Sequence, residues 1–114
     1  MKNIILGLLL TFIGFTVHAQ DKKNKNAKYT FEVNGNCEQC QHRIQKASYA
    51  IIGVKSAVWD IESHQLRLIL NEEKCTLQDV KKAVAKAGHD TDEVKATDDD
   101  YNNLHHCCQY DRKQ

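Results

Sequence analysis

The sequence has no proline among its 114 residues. A cis peptide bond in a protein is nearly always an X–Pro bond, so this chain lacks the residue that would form one. The absence excludes any mechanism in which a cis-proline faces a reactive pair of cysteines.

The sequence also lacks an excess of charge of either sign. It contains 16 basic and 15 acidic residues, and the two numbers become equal without Lys2, the only charged residue among the first 19. A protein that binds nucleic acid needs a basic surface for the phosphates. We therefore expect no nucleic acid among its partners.

The cysteines do not form an even set. The chain has five: Cys37 and Cys40 in a CxxC motif, the neighbours Cys107 and Cys108, and Cys75. Exported proteins that use cysteines for a disulfide framework normally contain an even number of them. The odd count and the spacing indicate thiol chemistry or metal binding rather than a static framework.

The first 19 residues have the pattern of a secretory signal peptide. Lys2 precedes an almost unbroken apolar run over residues 4–17, and Ala19 is a compact residue at the expected cleavage site. An uncleaved anchor is less favoured, because a bilayer span needs about 20 apolar residues. We predict a signal peptide over residues 1–19, a disordered polar leader over 20–28, and a periplasmic or secreted protein without a stable membrane anchor.

The pattern of apolar residues predicts the order β-α-β-β-α-β. Alternation with period two marks strands, and apolar residues three and four apart mark helices. The predicted strands cover residues 29–33, 54–61, 66–70 and 92–97, and the predicted helices begin near Glu38 and Thr76. This order is typical of the α+β ferredoxin-like sandwich, in which two helices cover one face of an antiparallel sheet. Residues 98–114 then form a short C-terminal extension.

The CxxC motif lies between the first predicted strand and the first predicted helix. The unpaired backbone N–H groups at a helix N-terminus favour the thiolate forms of Cys37 and Cys40. Two thiolates at this spacing suit a soft ion such as Cu(I) or Hg(II), or they exchange with a disulfide. A tetrahedral zinc site would need four ligands, which this motif alone does not supply.

The absence of proline favours metal binding over redox exchange. Thioredoxin-like oxidoreductases place a cis-proline opposite their CxxC motif and usually a tryptophan before the first cysteine, whereas Asn36 precedes Cys37 here. A thiol–disulfide oxidoreductase or redox sensor remains the alternative. A disulfide within the motif would close too short a loop to stabilise the fold much.

The order of elements, with CxxC after the first strand, resembles the heavy-metal-associated domain, a family that includes copper chaperones and the periplasmic mercuric-ion binding protein. The resemblance covers residues 29–97 and implies that Cys37 and Cys40 bind the metal. Asn34-Gly35 replaces the Gly-Met pair of the family's usual Gly-Met-x-Cys-x-x-Cys loop. Since that Met fills the core beneath the loop, we expect a looser loop here. Residues 101–110 resemble the C-terminal extension of small exported members from Bacteroidetes-type bacteria.

Three further residues are candidates to complete the site. The resemblance places the turn that contains His89 beside the metal, where His89 is either a third ligand or a solvent-facing residue after the helix. Cys107 and Cys108 lie on a tether long enough to reach either end of the domain. They bind or transfer metal as auxiliary ligands, form a disulfide with another cysteine, or have no specific role. Cys75, before the second helix, is predicted to be structural or a disulfide partner for this tail.

We therefore predict a non-enzymatic protein that binds one soft ion, Cu(I) first and Hg(II), Zn(II) or Cd(II) otherwise. The ion would pass by ligand exchange between this protein and a donor or acceptor of a transport or efflux system. We expect a monomer, with dimerisation on metal or disulfide formation as the alternative.

Overall fold

The computed structural model describes residues 23–112. The predicted signal peptide over residues 1–19 lies outside the described residues, and so do residues 20–22 of the predicted leader. Between residues 23 and 112, no helix is long and apolar enough to span a bilayer.

Three antiparallel strands form the sheet: β1 (Ala27–Glu32), β2 (Val54–Trp59) and β3 (Gln65–Leu70), in the order β1-β3-β2. Each strand lies within two residues of its predicted bounds. Alternate side chains along a strand point to opposite faces of the sheet. The inner face buries Ala27, Phe31, Ala57, Trp59, Leu66, Leu68 and Leu70.

Two helices pack on this inner face, α1 (Glu38–Tyr49) and α2 (Leu77–Lys86). Helix α2 begins, as predicted, near Thr76, with a capping box in which the Thr76 hydroxyl accepts from the Asp79 N–H and the Asp79 carboxylate accepts from the Thr76 N–H. Ile44 of α1 and Val84 of α2 join the strand leucines in one core. The predicted α+β ferredoxin-like arrangement is therefore confirmed.

The predicted fourth strand over residues 92–97 is wrong. Residues 92–97 form no strand: the chain meets the end of β1 only at the bridge between Thr91 and Val33 and through the Asp92 N–H, which donates to the Glu32 carbonyl at 3.1 Å. The Thr91 hydroxyl accepts hydrogen bonds from the N–H groups of Glu93 and Val94, which folds the chain into a turn directly after the bridge. Short polar side chains that bond the local backbone compete with sheet pairing in this way.

The predicted leader ends earlier than expected. Strand β1 begins at Ala27, two residues before the predicted start. The Asn24 N–H donates to the Glu72 carboxylate at 2.9 Å, and the Asn24 carbonyl accepts from the Glu72 N–H at 3.0 Å. Asn24 and Asn26 are therefore hydrogen-bonded to the domain and residues 27–28 belong to β1, which differs from the disorder predicted for that part of the leader.

The C-terminal extension packs into the domain core. The described part, residues 98–112, is called the C-terminal segment below; it contains the short helix α3 (Asp98–Asn102) and a 3₁₀ turn (His106–Cys108). Leu104, Cys108 and Tyr110 are buried members of the core. Gly88, with φ +107°, ends α2, and a Cβ there would lie 2.7 Å from Leu104 Cδ2. Glycine at this position thus provides both the left-handed backbone and the room for Leu104.

Candidate metal centre

The CxxC motif sits in a loop that is fastened at its start. After β1, the Val33 N–H donates to the His64 carbonyl at 2.8 Å and the Asn34 N–H donates to the Asp90 carbonyl at 2.9 Å. Cys37 then has extended backbone angles and serves as the N-cap of α1. Both cysteines therefore lie in the first turn of a helix, as the sequence predicted.

The loop is closely packed on Trp59, contrary to our expectation of a looser loop. The indole is fully buried, and its Nε1–H donates to the Val33 carbonyl at 3.0 Å. A Cβ on Gly35 would lie 3.0 Å from Trp59 Cη2 and 3.0 Å from Cys40 Cβ. Gly35 occupies the position of the family's Met, so the Trp59 ring supplies the packing beneath the loop that Met would otherwise provide.

Three sulfur atoms converge at this loop. The Sγ of Cys37 lies 3.5 Å from that of Cys40 and 3.6 Å from that of Cys108. All three sulfurs lie within 4.8 Å of one another, so the group could hold a metal ion. None of these distances is that of a disulfide bond, which is about 2.05 Å, and each described cysteine is a free thiol.

The three thiols differ in acidity because they differ in environment. Burial by itself raises the pKa of Cys37, but hydrogen bonds from the Cys40 backbone N–H and from the neighbouring thiols outweigh it and lower the pKa to about 7. Burial raises the pKa of Cys40 and, more strongly, that of Cys108. Cys37 is therefore the first of the three to ionise. The Cys40 thiol donates to Asn36 Oδ1 at 3.2 Å.

The C-terminal segment brings Cys108 to the motif by contacts with the turn after α2. The Tyr110 hydroxyl donates to the Gly88 carbonyl at 2.9 Å and accepts from the Asp90 N–H at 2.8 Å. Arg112 forms a two-pronged ion pair with the buried Asp90 carboxylate, at 2.9 Å through Nε and 2.8 Å through Nη2. The Tyr101 hydroxyl donates to the Tyr110 carbonyl. These contacts lie within four residues of Cys108 and fix its position.

His89 is buried, which rules out the solvent-facing alternative, but the structure does not bring it into the thiol group. Its Nδ1 lies 2.8 Å from the Asn34 carbonyl, and its ring stacks on Tyr110 with centroids 5.6 Å apart. Burial lowers the pKa of His89, so the neutral ring donates from Nδ1. Its Nε2 has no hydrogen-bond partner among residues 23–112. The ring thus connects the CxxC loop to the C-terminal segment.

The two remaining cysteines also lie outside the group. Cys107 is exposed, and its thiol donates to Gln39 Oε1 at 3.1 Å. Its sulfur is 3.9 Å from that of Cys108. Cys75 is buried beside Gly53, and its thiol donates to the Asn71 carbonyl at 3.7 Å. Both tail cysteines lie at the CxxC motif, but only the Cys108 sulfur joins the group of three. The Cys107 thiol contacts Gln39 within the motif and helps to lower the pKa of Cys37.

Sequence reasoning missed Asp90, Tyr110 and Arg112, the residues that hold the C-terminal segment in place. The signal was weak: one carboxylate in the turn after α2 and one guanidinium near the end of the chain give no periodic pattern. Tyr101 packs against the core and Leu104 is buried in it, so both help to dock the C-terminal segment.

Comparisons with known proteins agree with this fold and site. The copper chaperone CopZ of Staphylococcus epidermidis is 30% identical over 54 residues, which are 47% of this chain and 79% of that protein. Among solved structures, the N-terminal domain of a potential copper-translocating P-type ATPase from Bacillus subtilis, in its Cu(I)-loaded state, has 28% identity and a TM-score of 0.56, covering 58% of this chain and 84% of that one. Oxidized MerP from Ralstonia metallidurans CH34 has 25% identity and a TM-score of 0.50, covering 57% and 94%.

The family match gives the extent of the shared domain. The heavy-metal-associated domain matches residues 30–90, which include both cysteines of the motif and end at Asp90, before the C-terminal segment. With its three-stranded sheet, two helices and paired thiols in the first turn of α1, this chain belongs to the heavy-metal-associated domain family.

Proposed function

We propose that this protein binds one soft metal ion, Cu(I) in the first place, through Cys37 and Cys40 and passes it to another protein by ligand exchange. The observation that carries the proposal is the pair of sulfurs 3.5 Å apart in the first turn of α1, one of them with a pKa of about 7. Soft thiolate ligands select ions such as Cu(I).

The two cysteines have different roles in uptake. Cys37 is partly ionised near neutral pH, so it meets the incoming ion as a thiolate. Cys40 binds second and releases its proton to water as its sulfur joins the ion. For transfer, a thiolate of the partner adds to the ion before a cysteine of this chain leaves, so the ion is never free. No bond of a substrate is made or broken, and no enzymatic step is needed.

The partner would be a donor or acceptor in metal transport. This inference is supported by two relatives, one a copper chaperone and one a domain of a potential copper-translocating ATPase. The predicted signal peptide supports a location in the periplasm or outside the cell. In that location, the protein would exchange its ion with a transport or efflux component.

A titration of the reduced protein with Cu(I) under anaerobic conditions tests the proposal. We expect one ion per protein in native mass spectrometry, and no binding by the Cys37→Ser/Cys40→Ser variant. The matched control is Cys75→Ala/Cys107→Ser, which also loses two thiols but leaves the CxxC motif intact; it should bind one ion. Undiminished uptake by the Cys37→Ser/Cys40→Ser variant would contradict the proposal.

The same preparation separates metal transfer from redox exchange. A thiol–disulfide oxidoreductase would reduce insulin through a mixed disulfide on Cys37. We expect no turnover of insulin above the rate of free dithiol, because the chain has no proline to face the motif. Turnover that is lost in the Cys37→Ser variant would favour the redox function instead.

A further inference from the structure

The burial of Cys108 against the CxxC motif is the observation that the two-cysteine function leaves unexplained. Its side chain is fully buried, its sulfur lies 3.6 Å from Cys37 Sγ, and its carbonyl lies 4.0 Å from Cys40 Sγ. Cys108 lies outside the part of the chain that the family match covers. A buried thiol at this distance from two others is placed to bind what they bind.

The spacing of the sulfurs fits three-fold coordination better than a linear pair. With a metal–sulfur bond of about 2.3 Å, two sulfurs lie about 4.6 Å apart in a linear site and about 4.0 Å apart in a trigonal one. Cys37 and Cys40 are 3.5 Å apart, and Cys37 and Cys108 are 3.6 Å apart. A linear site would require the first pair to open by about 1 Å, whereas a trigonal site requires these two distances to grow by only about half an ångström. The third pair, Cys40 and Cys108, lies within 4.8 Å.

We propose that the C-terminal segment supplies Cys108 as a third thiolate, so that the protein with this segment docked holds its ion between three sulfurs. The inference rests on the proposed function, because the ion and the first two ligands are the same. Each thiol that binds loses its proton to water, one metal–sulfur bond forms for each proton lost, and no electron is transferred.

The Asp90–Arg112 ion pair positions this third ligand. Arg112 lies four residues after Cys108, and it also donates to the Ala96 carbonyl at 2.6 Å. The Asp90 side chain is 3% exposed and that of Arg112 is 21% exposed, so water screens the pair only in part. Arg112 is thus a positioning residue: it holds Cys108 at the motif without approaching the sulfurs.

The third thiolate also bears on the choice of ion. A site made of Cu(I) and three thiolates has a net charge of −2. A site made of Hg(II) or Cd(II) and three thiolates has a net charge of −1. Cys40 and Cys108 are both fully buried, and uncompensated charge in a buried site is costly. Cys108 therefore raises the affinity for a divalent soft ion more than it raises the affinity for Cu(I).

The chain offers a matched pair of variants for the test. Cys108→Ser removes the buried thiol that faces the motif, and Cys107→Ser removes its exposed neighbour, whose thiol bonds to Gln39. Reduced wild type and both variants are loaded with one equivalent of Hg(II) chloride or of the Cu(I) acetonitrile complex. X-ray absorption counts the sulfur ligands, and competition with a small dithiol gives the affinity.

We expect three sulfur ligands in the wild type and in Cys107→Ser, and two in Cys108→Ser. The loss of one ligand should weaken Hg(II) binding by more than about tenfold in Cys108→Ser, and Cu(I) binding by a smaller factor. The Cys107→Ser variant should bind both ions as the wild type does. Two sulfurs in the wild type, or three in Cys108→Ser, would overturn the proposal. Three sulfurs found only in a dimer, by size-exclusion chromatography, would also overturn it.

A second variant tests the proposal without changing any cysteine, in case Cys108→Ser does not fold. Arg112→Ala leaves all three thiols in place but releases the C-terminal segment, so a lower sulfur count is expected there too, with partial recovery in Arg112→Lys. An unchanged sulfur count in Arg112→Ala would show that the ion pair does not position Cys108. Loss of all binding in Cys37→Ser/Cys40→Ser with no effect of Cys108→Ser would leave the proposed function standing and refute this inference alone.

Discussion

At the scale of single residues, Cys37 is the reactive thiol of the site. It is partly exposed, whereas Cys40 and Cys108 are fully buried, and its sulfur lies within hydrogen-bond distance of both of those thiols. The first turn of α1 adds the Cys40 backbone N–H as a further donor. An exposed thiolate among buried thiols is the form that meets an incoming ion.

Alkylation of the metal-free protein tests this acidity. The rate at which iodoacetamide modifies Cys37 should follow the thiolate and rise through a midpoint near pH 7, as peptide mass spectrometry would measure. Cys75 is the internal control: it is buried, and burial raises its pKa, so it should stay unmodified in the folded protein. A midpoint near 9 for Cys37 would contradict the hydrogen-bonded thiolate.

Trp59 packs against Gly35 beneath the CxxC loop, and a double-mutant cycle tests this contact. Gly35→Met should destabilise the fold by about 1–3 kcal/mol because the new side chain overlaps the indole. Trp59→Leu should also destabilise, since it leaves a cavity and removes the bond to the Val33 carbonyl. The free energy of unfolding of the double variant should fall by at least about 1 kcal/mol less than the sum of the two single effects, because Met then fills the cavity.

Circular dichroism during urea unfolding measures this cycle. Tryptophan fluorescence is not suitable, because Trp59 is the only tryptophan and the two variants that carry Trp59→Leu lack it. Gly35→Ala is the control for the loss of glycine at this backbone position, and it should lower the free energy of unfolding less than Gly35→Met does. Strict additivity of the two larger changes would show that Trp59 does not take the place of the family's Met.

At the scale of elements, the C-terminal segment replaces the fourth strand as the element that closes the domain. After the Thr91 bridge, the Asp92 N–H donates to the Glu32 carbonyl of β1 at 3.1 Å, and the chain then turns away from the strand. The Ala96 N–H donates to the Asp90 carboxylate at 2.7 Å, so Asp90 bonds both to a residue just before the C-terminal segment and to Arg112 at its end. Residues 92–97 thus lead into the segment that holds Cys108 over the CxxC motif.

The pKa of Asp90 predicts how stability depends on pH. Burial by itself raises this pKa, but hydrogen bonds from Arg112 and the Ala96 N–H outweigh it and lower the pKa below its ordinary value. The folded state therefore binds this proton less readily than the unfolded state does. The stabilisation is fully present above the unfolded pKa of about 3.9 and is lost as pH falls through the lower folded value.

Urea unfolding at pH 7, 5 and 3 measures the contribution. Asp90→Asn should lower the free energy of unfolding by roughly 2–3 kcal/mol at pH 7, less than for a fully buried pair because Arg112 is partly exposed. The difference from wild type should be the same at pH 5 and should shrink at pH 3. The control is Asp98→Asn. The Asp98 side chain also contacts Arg112 but is 92% exposed, so this substitution should lower the free energy of unfolding by less than about 1 kcal/mol. An equal effect of the two variants would contradict the assignment.

At the scale of the whole molecule, the site joins two distant parts of the chain. Cys37 and Cys108 are 71 residues apart in sequence, yet their sulfurs are 3.6 Å apart. If the protein passes its ion on as proposed, a thiolate of the partner must displace Cys108, so the C-terminal segment must move before transfer is complete. We therefore expect the docked segment to slow release to a degree set by the strength of its contacts.

Transfer to a small dithiol acceptor tests this consequence. In Arg112→Ala the segment should undock more often, and weakening its contacts by about 1.4 kcal/mol would speed transfer by about tenfold. Stopped-flow absorbance at the metal–thiolate band follows the reaction, with Asp98→Asn as the control that should transfer at the wild-type rate. Equal rates for wild type and Arg112→Ala would show that the segment does not control release.

Much of the domain was predictable because its signals are local. The alternation of β3, the apolar stripe of α1 and the helix start at Thr76 each depend on a few neighbouring residues, and each formed as predicted. The fourth strand failed because the Thr91 hydroxyl bonds to backbone that a strand would have used. The burial of His89 was not predicted from the sequence either, because it depends on the Asn34 carbonyl, 55 residues earlier in the chain.

The sequence by itself determined the two-thiol motif in the first turn of a helix, since four neighbouring residues decide that geometry. It also determined the order of elements, through apolar periodicity that needs no distant partner. Only the tertiary structure decided that Trp59 fills the space beneath the loop and that Cys108, rather than Cys107, joins the two sulfurs of the motif. The physical reason is that a side chain's neighbours across the core depend on how the elements pack. For Cys108, that packing depends on a partly buried ion pair between two residues that carry no periodic signal.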